Sequence, residues 1–303
     1  MDREIFQQLA ELAESFAKIG LTPVICGGMG IYLSFYKNPE EAIRVTNDID
    51  LMLTKTQLLE QSRRNAIAEI ITRELNYIVC NNAPYFRFKK GDNQQLDILA
   101  PPIDGLRTQG DRIKIISSKL HGRLTKEACF IEEDLRTVSL SDILSDDKRT
   151  GSLKVKVPSP TNLLILKLFA FDDRSEGHRQ DTMRAQAHAR DIFIIIMLTK
   201  DRSDYLEGQK FLSRHSDSEI IRRAQSIVRN KFSAVKQTGW QYVLEASDFY
   251  PNLSRQEKES KLDAAGHRLA RWFNVSSHDK SSAVLAETEN QQDQPDKKSG
   301  HEE

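Results

Sequence analysis

The spacing of hydrophobic positions changes its period several times in the first half of the chain. Apolar residues recur every three or four positions over residues 2–19, which predicts an amphipathic helix ending at Gly20. Short aliphatic stretches follow, some alternating with polar residues, and these predict strands. The predicted strands cover residues 21–26, 48–53, 77–80, 85–89, 95–99, 113–117, 128–132 and 153–157. Two more helices are predicted among them, at 29–36 and 57–75.

The second half of the chain has the period of helices. Ser159 and Pro160 are a typical helix start. Helices are predicted at 162–171, 178–198, 209–215, 217–229, 239–246 and 255–273. From residue 275 the sequence is polar and lacks aromatic residues, which is typical of disorder. We therefore predict a domain of strands and helices over residues 1–157, a helical domain over 158–274 and a disordered tail over 275–303.

Composition and charge narrow the class of protein. The 303 residues contain 44 Lys and Arg and 44 Asp and Glu, so the net charge of zero excludes a strongly basic nucleic-acid coat. Residues 154–274 are mildly cationic, with 21 bases and 15 acids. Three widely spaced cysteines form neither a disulfide framework nor a zinc motif. With no leader sequence and no apolar run of membrane-spanning length, we expect a soluble cytoplasmic protein.

Two aspartates open one of the predicted strands. Residues i and i+2 of a strand point to the same face, so Asp48 and Asp50 converge while Ile49 points into the core. Two adjacent carboxylates repel each other, and a divalent cation such as Mg²⁺ relieves that repulsion. A third carboxylate, Asp97 on another strand, would complete a two-metal site or take a proton from an attacking hydroxyl.

A pair of glycines follows the first predicted strand. Gly27 and Gly28 stand at a strand-to-helix turn, where backbone N–H groups can approach a triphosphate. Glycines, paired carboxylates and a third acid together indicate transfer of a nucleotidyl group from an NTP. Each feature alone has a simpler interpretation: a turn, a solvated strand edge, or an acid that pairs with a lysine.

The stretch CGGMGIYLSFYKNPEEAIRVTNDIDLML resembles the nucleotidyltransferase fold shared with DNA polymerase β, and more narrowly the AbiEii family of type IV toxin–antitoxin and abortive-infection nucleotidyltransferases. That resemblance implies an α+β fold in which a polymerase-β-like domain with a mixed sheet precedes a helical domain. In the family a Gly-Gly, an Arg-x-Thr and an Asp-x-Asp occur in this order. Here these residues are Gly27, Gly28, Arg44, Thr46, Asp48 and Asp50.

The resemblance extends into the helical half. VPSPTNLLILKLFAFDDR and HARDIFIIIML are similar to the family's two later motifs, which implies active-site roles for Lys167 and Asp191. Arg174 is a further candidate contact, because it shares a helix face with Lys167. Ile194 stands where relatives often carry a second Asp, and Met29 and Gly30 stand where many carry Ser or Thr.

The resemblance also implies partners. It favours tRNA or another macromolecule, such as a protein, as the acceptor of the nucleotide, and it implies a possible antitoxin. A small-molecule acceptor of the antibiotic type and a non-catalytic nucleotide-binding protein remain alternatives. A phosphatase of the haloacid dehalogenase type also uses Asp-x-Asp, but it lacks a preceding Gly-Gly turn and does not usually have a Met at the position of Met52.

Overall fold

A computed structural model describes residues 3–38, 43, 46–80, 86–110, 112–114, 121–144 and 152–275. Arg44 and the tail from residue 276 lie outside these ranges, as do parts of the predicted strands at 85–89 and 113–117. The helices are α1 (Arg3–Lys18), α2 (Gly27–Phe35), α3 (Lys55–Leu59), α4 (Gln61–Glu69), α5 (Pro160–Ser175), α6 (Thr182–Leu198), α7 (Arg202–Arg214), α8 (Glu219–Ile227), α9 (Thr238–Leu244) and α10 (Arg255–Trp272). The strands are β1 (Val24–Cys26), β2 (Asp48–Met52), β3 (Ile78–Val79), β4 (Arg87–Lys90), β5 (Gln94–Ala100), β6 (Thr108–Gln109), β7 (Arg112–Lys114), β8 (His121–Leu124), β9 (Arg136–Ser139) and β10 (Lys154–Val157).

The strands form one mixed sheet, so the chain has the predicted α+β class. The strand order is β6-β7-β8-β5-β2-β1-β10-β9, and β4 joins the sheet on β5 with β3 beside it. β2 and β8 both run parallel to β5, whereas β1 runs antiparallel to β2. β4 and β8 share one edge of β5: β4 pairs with its first half and β8 with its end. The centre of the sheet is therefore β5, β2 and β1.

The hydrophobic interior has two main clusters that meet at α2. One lies between the sheet and α1, and the other joins α5 to α10 around large aromatic side chains such as Trp240 and Trp272. Met29 and Leu33 of α2 belong to the first cluster, while Ile31 belongs to the second. α2 thus fixes the sheet relative to the helices. The predicted domain boundary at residue 157 falls just after β10 and stays a prediction.

Local signals explain the helix starts. Ser159 accepts a hydrogen bond from the backbone N–H of Asn162 at the start of α5, and Asp181 does the same for Arg184 in α6. Ser254 and Glu257 form a reciprocal capping box at α10. The predicted helices of the second half are confirmed within a few residues, apart from α7, which begins seven residues earlier than expected. No helix among the described residues is long and apolar enough to cross a bilayer.

Two predictions about secondary structure were wrong, and three strands were not predicted. The predicted helix at 57–75 is broken at Glu60, whose extended backbone separates α3 from α4, and it ends in a π-helical turn over Ile70–Glu74. The predicted strand at 128–132 is instead a turn following a short 3₁₀ helix, because Ala128 and Ile131 both pack on the sheet at a three-residue spacing. β6, β8 and β9 have no counterpart in the sequence analysis.

Candidate active site

The two aspartates of β2 lie as the sequence predicted. Ile49 between them is fully buried, while Asp48 and Asp50 are partly exposed and line a common cleft. Asp50 pairs in register with Asp97 of β5 on one side and with Cys26 of β1 on the other. Side chains at paired positions share a face of the sheet. The sheet therefore brings the three predicted carboxylates to one place.

Glycine is required at the start of α2 because side chains occupy the space above it. Gly27 has φ +64°, and a Cβ there would lie 1.8 Å from Oδ2 of Asp50. A Cβ at Gly28 would lie 2.3 Å from Cγ2 of Thr46. The hydroxyl of Thr46 donates to the carbonyl oxygen of Asp48 at 3.2 Å. The predicted glycines, Thr46 and the aspartates thus form one packed unit.

Asp97 is held by a partner that the sequence analysis did not name. Nε of Arg87 donates to one carboxylate oxygen of Asp97 at 2.8 Å, and Nη2 donates to the other at 2.6 Å. Arg87 faces Asp97 directly across the β4–β5 hairpin. Gly91, Asp92 and Asn93, which join β4 to β5, are typical residues of a hairpin turn. Such a turn could have predicted this pairing, because it fixes which residues stand opposite each other.

The two predicted residues of the helical half form a buried ion pair. Nζ of Lys167 on α5 lies 2.6 Å from Oδ2 of Asp191 on α6, and the two side chains are 9% and 6% exposed. Lys167 lines the cleft, whereas Asp191 lies behind it. Asp191 therefore positions Lys167. A lysine that reaches the surface and an aspartate that pairs with Arg190 or Arg184 would be simpler interpretations of these residues. The structure shows neither, since Lys167 is buried, Arg190 pairs with Asp248 and Arg184 pairs with Asp181.

The carboxylates of Asp48, Asp50 and Asp97 repel one another. Burial and the charges of Asp48 and Asp97 raise the pKa of Asp50 to about 7, against the opposing effects of Lys167 and Arg123. Burial, with the charge of Asp50, also raises the pKa of the Cys26 thiol. Cys26 is therefore a protonated, buried residue and not a nucleophile.

The cleft lies between the sheet and helices α5 and α6 and has a volume of about 640 Å³. Its described lining carries cationic and acidic side chains in equal number. The cations are Arg87, Arg123, Lys167, Arg174 and Arg184, and the acids are Asp48, Asp50, Asp97, Glu127 and Asp173. Lys167 and Arg174 both face the cleft, as their spacing predicted. Sequence analysis missed Arg123, Arg184 and Glu127. Arg123 and Glu127 lie in the 121–130 segment, whose secondary structure was not predicted correctly, so no predicted element placed them near the site.

A cationic cluster outside the cleft, formed by Arg222, Arg223, Arg229 and Lys231, is partly neutralised. Nζ of Lys231 lies 2.9 Å from Asp172, and Arg223 binds the same carboxylate at 3.0 Å. Arg222 and Arg229 are exposed. Two of the four charges thus stabilise the packing of the helices.

Comparison with known proteins identifies the family. A family model described as the nucleotidyl transferase AbiEii toxin of type IV toxin–antitoxin systems matches residues 8–256. This range contains the whole cleft. No curated protein and no solved structure matches the chain.

Proposed function

Because the chain belongs to the AbiEii family of nucleotidyl transferase toxins, we propose that its cleft transfers a nucleoside monophosphate from an NTP to a hydroxyl acceptor in a Mg²⁺-dependent reaction. The observation that carries this proposal is the Asp48–Asp50 pair. Both carboxylates face the cleft, and among the described residues neither has a cationic partner in direct contact. Unpaired acids at the floor of a cleft are costly unless a ligand compensates them.

The donor set fits a cation that is completed by substrate. Among the described residues, no three His, Cys, Asp or Glu side chains are close enough to hold a metal by themselves. Mg²⁺ is typically held by one or two carboxylates together with substrate phosphates. Asp48 and Asp50 would supply the carboxylates, and the bound ion would neutralise charge on the phosphates. Asp97 joins this set only if Arg87 releases one of its two oxygens.

The start of α2 supports binding of the triphosphate. Gly27 and Gly28 are its first residues, and the Cys26 side chain makes no capping hydrogen bond, so the terminal N–H groups are open to a ligand. Lys167 adds a fixed positive charge on the opposite side of the cleft, held there by Asp191. These groups would orient the α-phosphate above Asp48 and Asp50. Arg44 and Thr46 are proposed as contacts of the same nucleotide on the family resemblance alone.

In the proposed reaction the acceptor oxygen attacks the α-phosphorus. A new bond forms between them, the bond to the bridging oxygen of the β-phosphate breaks, and its electron pair leaves with pyrophosphate. Asp97 is the proposed acceptor of the hydroxyl proton, which requires one of its oxygens to exchange Arg87 for the substrate. Positioning and stabilisation of the developing charge are the main contributions in phosphoryl transfer.

We propose a macromolecular acceptor, with tRNA favoured over protein, and an antitoxin as partner. The family supports the toxin–antitoxin context. The mild positive charge of residues 154–274 agrees with a polyanionic acceptor.

Incubation of the pure protein with Mg²⁺ and each α-³²P-labelled NTP tests the proposal, with total tRNA and lysate protein as separate acceptors. We expect label on tRNA, and none with Asp48→Ala or Asp50→Ala. Asp217→Asn is the matched control, because Asp217 is exposed on the surface away from the cleft. Label on a small molecule alone would overturn the macromolecular acceptor. Unchanged transfer by Asp50→Ala would overturn the site.

A further inference from the structure

Arg123 differs from the other cations of the cleft. Each of the others is held by an acid, whereas the Arg123 guanidinium has neither an ion pair nor a hydrogen bond within the described ranges. The pairs are Arg87 with Asp97, Lys167 with Asp191, Arg174 with Asp173 and Arg184 with Asp181. Arg123 is partly buried, so its charge has lost part of its hydration without gaining a partner.

The register of the sheet places Arg123 on the face that carries the catalytic carboxylates. Arg123 of β8 pairs with Leu99 of β5, two positions beyond Asp97. Side chains two apart on a strand, and side chains at paired positions, share a face. Arg123 therefore projects from the same face as Asp97 and Asp50, about 10 Å from β2 across two strand spacings.

Arg123 shares the cleft with the acidic and basic side chains of β2, α5 and the segment after β8. Arg123 lines the cleft together with Asp48, Asp50, Glu127 and Arg174. Burial raises the pKa of Glu127 and lowers that of Arg174; the charge of Arg123 opposes the first shift and adds to the second. Lys167 is seven residues before Arg174 on α5, a distance of about 10 Å along the helix. Arg123 thus faces the same cleft as the carboxylate pair, Lys167 and Arg174.

We propose that Arg123 binds the departing pyrophosphate of the donor nucleotide and is a further catalytic residue of this site. This inference rests on the proposed function. With the α-phosphate above Asp48 and Asp50, the β- and γ-phosphates would extend along the cleft toward Arg123, which among the described cations of the lining can bind them without breaking an ion pair. When the bond between the α-phosphorus and the bridging oxygen breaks, negative charge develops on that oxygen. A guanidinium donates two parallel hydrogen bonds to such a group.

A purely structural role predicts different behaviour. If Arg123 only compensated the charge of Asp50, its removal would destabilise the free protein, and lysine would replace it fully. A pyrophosphate contact instead predicts normal stability of the free protein and weaker binding of pyrophosphate. Lysine would then replace it only in part, because an ammonium lacks the planar fork.

Titration calorimetry with inorganic pyrophosphate and Mg²⁺ tests the proposal on the full chain. We expect Arg123→Ala to weaken pyrophosphate binding roughly 10- to 100-fold, the loss typical of charge-assisted hydrogen bonds, and Arg123→Lys to weaken it several-fold. Arg222→Ala, which removes an exposed arginine of α8, should bind as the wild type does. In transfer assays Arg123→Ala should lower kcat and relieve inhibition by pyrophosphate, with the KM for the acceptor unchanged.

Two results would overturn the inference: wild-type protein that binds no pyrophosphate, or binding that is equal in the wild type, Arg123→Ala and Arg123→Lys. If Arg123→Ala does not fold, Arg123→Lys alone decides, since unchanged binding by that variant contradicts the role of the guanidinium fork. Failure of the proposed function would look different. Arg123-dependent binding of pyrophosphate without transfer from any NTP would contradict the transferase and leave the phosphate contact in place.

Discussion

The two sides of the cleft differ in whether their charged side chains are paired. On the helix side, Lys167 and Asp191 form a buried ion pair that neutralises itself at 2.6 Å. On the strand side, Asp48 and Asp50 face the same space with like charges, and burial together with the charges of Asp48 and Asp97 raises the pKa of Asp50 to about 7. The helix side is electrostatically complete without a ligand, and the strand side is not. This difference supports the proposal of a ligand on the strand side, while on the helix side Asp191 holds Lys167 in place.

The substitution with the largest expected effect removes the charge of Asp50 on the strand side. Asp50→Asn keeps the shape of the side chain, so we expect transfer activity to fall roughly 1,000-fold or more, as when a main electrostatic contact of a transition state is lost. The free protein should become more stable, with Tm higher by roughly 2–4 °C, because repulsion from Asp48 and Asp97 is relieved. Radiolabel transfer and differential scanning calorimetry measure the two effects. A lower Tm would show that the carboxylate stabilises the fold.

Breaking the ion pair on the helix side should have the opposite effect on stability. Lys167→Met leaves Asp191 as an unpaired buried charge, which costs about 3–5 kcal/mol in the free energy of unfolding. The double variant Lys167→Met/Asp191→Leu should recover most of that loss and remain inactive. Urea denaturation measures the stability. If the double variant recovered activity as well, the charge of Lys167 would have no part in the reaction.

The two sides of the cleft also differ in how much of each could be predicted from the sequence. Asp48, Asp50 and the glycines follow from a two-residue period and a turn, which are local patterns. The Arg87–Asp97 pair could have been predicted from the hairpin between β4 and β5, because the turn fixes which residues face each other. Arg123 reaches the site only through the parallel pairing of β8 with β5, which joins distant segments whose order no local pattern fixes.

The fold shows the same limit. The helices of the second half were predicted because each has its own apolar face, and α5, α6, α7 and α10 also have side-chain caps. The break at Glu60 and the turn at 128–132 were missed, since a run of apolar residues does not reveal whether a helix, a strand or a turn buries it. Ion pairs between helices, such as Lys167 with Asp191, depend on tertiary packing that the periodicity of one helix cannot show.

Gly27→Ala tests how tightly the strand side is packed, with Gly91→Ala as the matched control. Both glycines have φ near +60°, but a Cβ at Gly91 meets nothing within 4 Å, whereas one at Gly27 collides with Asp50. We expect both variants to lose about 1 kcal/mol of stability from backbone strain. Gly27→Ala should also lose activity about 100-fold, because a carboxylate displaced by 1 Å no longer fits the reacting geometry. Equal activities would contradict the packed unit.

Binding of Mg²⁺ should produce the smallest effect on stability, and it tests the proposed metal site most directly. A cation that binds the folded protein alone stabilises it by an amount set by its concentration relative to Kd. Because Asp48 and Asp50 provide only two carboxylates, we expect weak binding without nucleotide and a Tm increase of about 1–2 °C at millimolar Mg²⁺. Asp50→Asn should lose this increase, whereas Lys167→Met/Asp191→Leu should keep it, because the latter changes only the helix side. An equal increase in wild type and Asp50→Asn would place the cation elsewhere, and the repulsion between the aspartates would then need another compensating ligand.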